Sequence, residues 1–169
     1  PVPAATAEAT LERDVVRRHG GRLEDGEVTL VIDPLNGSAL LAFADPGLPV
    51  RCLTGATLRV RTSSAVNVKV KAWVSLETDL ASLPDDGGLG QYVIAPESPS
   101  VDARRETGAL TWEVGELLRW SRAHQDPQGP FVVVLKPDFR GYAAPPILLA
   151  ASESGRPAVL EVVTDPTCS

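Results

Sequence analysis

The sequence predicts an all-β domain, a jelly-roll-like antiparallel β-sandwich with one short helix. Three observations lead there. Apolar residues come in short runs bounded by Gly, Pro, Asn or Asp, several runs alternate apolar and polar residues, and only Glu116 to His124 carries helical spacing. Six or more such strands with a single helix favour a sandwich over an α/β fold, and no internal repeat is visible.

Thr10 to Val16 begins a first strand, broken by Arg17, Arg18, His19, Gly20 and Gly21. Val28 to Ile32, the turn residues Asp33 to Ser38, and Ala39 to Ala44 read as a hairpin. After a Pro46, Gly47, Pro49 connector, Thr57 to Arg61 alternates strictly, with Leu58 and Val60 facing one way and Arg59 and Arg61 the other. Val68 to Val74 alternates again, burying Val68, Val70, Ala72 and Val74 and presenting Lys69, Lys71 and Trp73. Asp79 to Arg105, rich in Asp, Gly, Pro and Ser, reads as a long surface excursion with a strand-like Gln91 to Ala95 inside it. Leu110 to Val114 is a strand, and the helix that follows places Leu117, Leu118 and Ser121 on one side until Asp126, Pro127, Gly129 and Pro130 stop it. Phe131 to Leu135, Ile147 to Ala151 and Ala158 to Thr164 complete the strands.

A chain of 169 residues is expected to form one domain, spanning residues 1–169, with a core of its own. No apolar run approaches the ~20 residues of a membrane span. A net charge of −6 and a pI near 4.9 argue against nucleic acid, whose phosphates demand a basic footprint. Pro1 to Ala9 lacks a charged region followed by an apolar one, so any signal peptide is expected to have been removed. Cys52 and Cys168 both stand at strand ends. Joined, they would close a long loop worth roughly 4–5 kcal/mol and fit an oxidising compartment; the alternative is two unrelated thiols, without CxxC or zinc-ligand spacing.

The pieces "ATAEAT", "SALLAFADPGLPV", "LTGATLRVRTSS", "LTWEVGELLRW", "PFVVVL" and "ESGRPAVLEVVT" follow one another in an order that resembles carbohydrate-binding module family 96, the DNRLRE-type domains of secreted bacterial proteins. The chain departs from that pattern at Glu8, at Ala42, where an arginine is usual, and in lacking an Asn-Tyr-Gly-like segment before the second strand. The resemblance implies a non-catalytic module of a larger secreted or cell-surface protein, fastened to a polysaccharide. "GALTWEVGELLRW" and "PFVVVL" also suit the prodomains of transforming-growth-factor-β-like precursors. That alternative implies a structural, adhesive or shielding module that recognises protein, with Asn36-Gly37-Ser38 as a glycosylation sequon.

No Walker loop, GxGxxG, GxSxG or HExxH motif is present, and His19 and His124 have no spaced partner, so no residue is assigned to catalysis or to a resident metal. Trp112 and Trp120 read as core or lid packing. Glu24-Asp25-Gly26-Glu27 and Asp85-Asp86 supply oxygens suited to a structural calcium, although neither has the spacing of a calcium loop. The expected binding surface is the outward face of two strands paired through the Ser63 to Asn67 turn, where Arg59, Arg61, Lys69, Lys71 and Trp73 would lie together. Arginine forks a carboxylate and an indole covers a sugar ring, so this surface points to a uronate-containing or sulfated polymer. The competing reading is a solvated face whose cations pair with Asp or Glu and block edge-to-edge aggregation.

Overall fold

The chain was analysed as a computed structural model that describes residues 5–18, 21–33, 37–45, 47, 49–63, 69–84, 93–138 and 146–168. The strands are β1 (Ala5–Ala9), β2 (Leu11–Arg18), β3 (Leu23–Glu24), β4 (Thr29–Ile32), β5 (Gly37–Phe43), β6 (Leu53–Arg61), β7 (Lys69–Val74), β8 (Ser100–Asp102), β9 (Arg104–Glu106), β10 (Ala109–Glu113), β11 (Phe131–Asp138), β12 (Ile147–Ala150) and β13 (Val159–Thr164). The helix α1 is Gly115–His124. Short 3-10 turns occupy Val50–Cys52, Leu80–Ser82 and Ser152–Ser154.

Two antiparallel sheets form the sandwich, one ordered β1-β13-β6-β10-β9 and the other β3-β2-β5-β11-β7-β8. The central orders β1-β13-β6-β10 and β5-β11-β7-β8 are those of a jelly roll, in which most successive strands cross from one sheet to the other. A ribbon of β4 and β12 flanks the sandwich.

Alternation on each strand makes the core. Leu58 and Val60 of the first sheet meet Val70, Ala72, Val74, Leu41, Phe43, Val133 and Leu135 of the second in one buried cluster. Trp112 is fully buried there, and its Nε1–H donates to the Val70 carbonyl (2.9 Å), a hydrogen bond from one sheet to the other. The second sheet also has an apolar outer side. Val15, Leu40, Ala42, Val132 and Val134 are covered by Leu80, Leu83, Val93 and Ile94. That second cluster explains why β5 is buried along its whole length.

The structure corrects two pairings. β4 pairs with β12, while β5 pairs with β2 and β11, so 28–32 and 39–44 are not a hairpin; one bridge, Asp33 with Gly37, joins them. Residues apolar on both faces belong in the middle of a sheet covered on both sides, a place that the half-exposed β4 cannot share. Likewise β6 and β7 lie in different sheets, because their inward residues fill one core from opposite sides. The excursion after Asp79 contributes an edge strand to each sheet, β8 and β9. The helix buries Leu117, Leu118 and Ser121 as its spacing predicts. Cys52 and Cys168 form a disulfide with Cα atoms 5.5 Å apart. Among the described residues no helix is long and apolar enough to cross a membrane.

Candidate functional site

Separation of β6 from β7 divides the expected surface. Arg59 and Arg61 project from the outer side of the first sheet, and Lys69, Lys71 and Trp73 from the outer side of the second, with the core between them. Arg59 is engaged by Glu106 at 3.3 Å. Lys71 lies directly opposite Lys136 on β11 and opposite Asp102 on β8, which gathers all three lysines of the chain onto one side of one sheet. Trp73 is half-buried beside Val134, at the margin of the outer apolar cluster, rather than in a groove beside the arginines.

Arg61 has a different setting. It lines an open cleft of about 430 Å³ between the end of β6 and the β4–β12 ribbon, and Arg156 lines it too. Among the described residues neither guanidinium has an acidic partner. Thr62, Ser63 and Ser154 bring hydroxyls to the same cleft, and Val28 and Leu148, 58% and 36% exposed, bring apolar surface. Local hydrogen bonds set these positions. Thr62 donates from its hydroxyl to the Leu148 carbonyl (2.6 Å) and from its amide to the Gly108 carbonyl (3.0 Å), which fastens β12 to the end of β6. Gly155 turns the chain with φ +78°, and the Arg156 amide donates to Ser154 Oγ (3.1 Å). Sequence reasoning missed Arg156, which only the fold brings beside Arg61.

The turn that carries Ser154 is anchored from below by a group of carboxylates. Asp14 accepts from the Ser152 amide (2.6 Å) and hydroxyl (2.8 Å). Carboxylate oxygens of Asp14, Asp25 and Glu153 all lie within 4.8 Å of one another. Burial raises the Asp14 carboxyl above its ordinary value, the Ser152 hydrogen bonds partly oppose this, and the charges of Glu153 and Asp25 add to the rise. Arg13 donates to Asp25 (2.9 Å) and to the carbonyls of Leu80 and Leu83. These three carboxylates have the chemistry of a hard-cation site, and Asp25 is the one member drawn from the acidic run at Glu24 to Glu27. Glu24 is instead paired with Arg18 and Arg22. Asp85, Asp86, His19 and Asn36 lie outside the described residues.

No protein-family model matches the chain, and no curated protein matches it. The chemistry this chain can perform is therefore read from the Arg61–Arg156 cleft and the carboxylate group beneath it.

Proposed function

We propose that this chain is a non-catalytic glycan-binding domain, part of a larger secreted or cell-surface protein, that holds an acidic polysaccharide in the cleft at Arg61 and Arg156. The observation that carries this reading is two guanidiniums without acidic partners among the described residues, on a chain of net charge −6, in a cleft that also offers hydroxyls and apolar walls. A uronate or sulfated sugar presents the complementary set: an anion for the guanidinium fork, hydroxyls for Thr62, Ser63 and Ser154, and an apolar ring face for Val28 and Leu148. Lys69, Lys71 and Lys136 would attract the same polymer over a longer range. The disulfide suits the oxidising compartment in which such a polymer is met.

The test compares a polygalacturonate oligomer with its methyl-esterified, uncharged counterpart by titration calorimetry. Wild type should bind the acid form, more weakly as salt rises, and Arg61→Ala/Arg156→Ala should lose at least about tenfold in affinity, the scale of one charged hydrogen bond. Trp73→Ala should change affinity little. Equal binding by the double variant, or no binding to any acidic glycan, would remove this reading. The exposed apolar pair Val28 and Leu148 favours a second one, recognition of a protein surface by the same cleft.

A further inference from the structure

A second cleft, of about 380 Å³, opens where α1 ends, and its chemistry is the reverse of the first. Trp120 and His124 stack on its wall with ring centroids 4.5 Å apart and planes inclined by 15°. The His124 ring is held by its Nδ1–H, which donates to the Trp120 carbonyl (2.9 Å). Glu97 and Asp126 line the same cleft, and Leu76, 48% exposed, adds apolar surface. Because α1 finishes at His124, the negative end of its dipole also lies here. Arg122, buried under the same turn, reaches the Asp126 carbonyl (3.3 Å) but spends its charge on Asp45 (3.1 Å) and also donates to the Gly129 carbonyl (2.7 Å), and no lysine or arginine is among the described residues that line the cleft.

Glu97 sets this cleft apart from an ordinary acidic surface. The Ser98 amide donates to the Ala95 carbonyl (3.1 Å), so Ala95-Pro96-Glu97-Ser98 is a turn whose third residue has φ +65°. Glycine or asparagine takes that position without strain, and Glu97 is the one described residue other than glycine in the left-handed region. A carboxylate thus stands on the rim of an aromatic cleft at a backbone position that disfavours it. Among the described residues neither that carboxylate nor the Trp120 Nε1–H has a hydrogen-bond partner.

We propose that the Trp120–His124 cleft receives an arginine side chain presented by a partner polypeptide, stacked against the aromatic pair and held by Glu97 and Asp126. Negative potential from two carboxylates and a helix end calls for a cation. The flat stacked rings favour a planar guanidinium over a compact ammonium, and a guanidinium can also fork a carboxylate. The apolar stem would lie against Leu76. Backbone edges beside the cleft are already paired, Leu76 N–H to the Val93 carbonyl and Ala95 N–H to the Val74 carbonyl, so the site reads a side chain rather than adding a strand. This inference goes beyond the glycan reading and does not depend on it.

The Trp120 indole N–H resonance reports directly on the site. Nα-acetyl-arginine N-methylamide should shift it saturably, and the citrulline analogue, which keeps the shape and loses the charge, should not. Glu97→Gln should weaken the arginine probe about tenfold. Glu97→Gly should lose binding to the same extent while raising the melting temperature, because it also relieves the positive φ. Arg61→Ala/Arg156→Ala should bind the probe as wild type does, which keeps the fate of this proposal separate from that of the acidic-glycan cleft. An equal response to citrulline, wild-type affinity in Glu97→Gln, or an indole resonance that does not move would overturn the assignment.

Discussion

Asp14 has its carboxyl almost out of solvent under Ser152, with the carboxylates of Asp25 and Glu153 close by. Its pKa is raised, chiefly by burial, so the folded protein holds this proton more tightly than the unfolded chain does. The sign follows: the contribution of Asp14 to stability is complete below the ordinary aspartate pKa and is lost as pH rises through the raised folded value. Asp14→Asn removes the ionisation and keeps an acceptor for the Ser152 amide. It should raise the melting temperature at neutral pH and flatten its dependence on pH across the acid range, measured by thermal denaturation in a series of buffers. A second prediction at this scale concerns Trp112→Phe. The ring still fills the core in part, but the bond from one sheet to the other is lost, and about 1–2 kcal/mol of stability should go with it in urea denaturation, chiefly from the void, since the Val70 carbonyl keeps the Ala103 amide (3.0 Å) as a donor.

Among the elements, β12 shows how a small bond shapes a binding surface. Thr62 ties the Leu148 carbonyl to the end of β6, and Leu148 and Ser154 on either side of that tie both line the arginine cleft. Thr62→Val removes the donor at nearly constant volume. We expect a loss of roughly 1 kcal/mol in stability, and faster amide exchange in β12 than in β11, read by hydrogen exchange. Elements were also where the sequence was most readable. Inward and outward residues of β6 and β7 followed from alternation alone, and the buried side of α1 from its spacing. Alternation does not say which sheet a strand joins. Leu58 and Val70 point into one core whether their strands are neighbours or face each other across it, and for that reason the five expected site residues were placed on one surface when the fold divides them. Arg61, expected on an outward strand face, lines a cleft, and Arg156 was out of reach of any local pattern, since nothing near it in sequence announces Arg61 as its neighbour.

At the scale of the whole molecule, a jelly roll is built from pairings between distant segments, so closing long loops adds to the entropy that folding must overcome. The disulfide acts on that term. It joins residues 116 positions apart, and the chain-entropy relation gives about 4–5 kcal/mol for a loop of that size. Cys52→Ser/Cys168→Ser should therefore lower the unfolding free energy by about that amount while native-state spectra stay close to wild type, checked by equilibrium denaturation against near-ultraviolet circular dichroism. A fall of less than about 1 kcal/mol would mean that the unfolded chain is already compact enough to bring these ends together.

The same cross-link also determines how the domain would respond to being pulled. Cys168 follows β13, which lies next to the edge strand β1, and Cys52 precedes β6 on the other side of β13. Tension entering at Cys168 would pass through the sulfur bridge to Cys52 and on into the chain before it, bypassing β6 to β13. With the bridge intact, everything between the two cysteines is a closed circuit that force cannot draw out, and only the segment before Cys52, with β1 to β5, can be extended. Reduction would open that circuit and let β13 be stripped from between its neighbours. The thiol state of the surroundings would thus set the mechanical length of this domain.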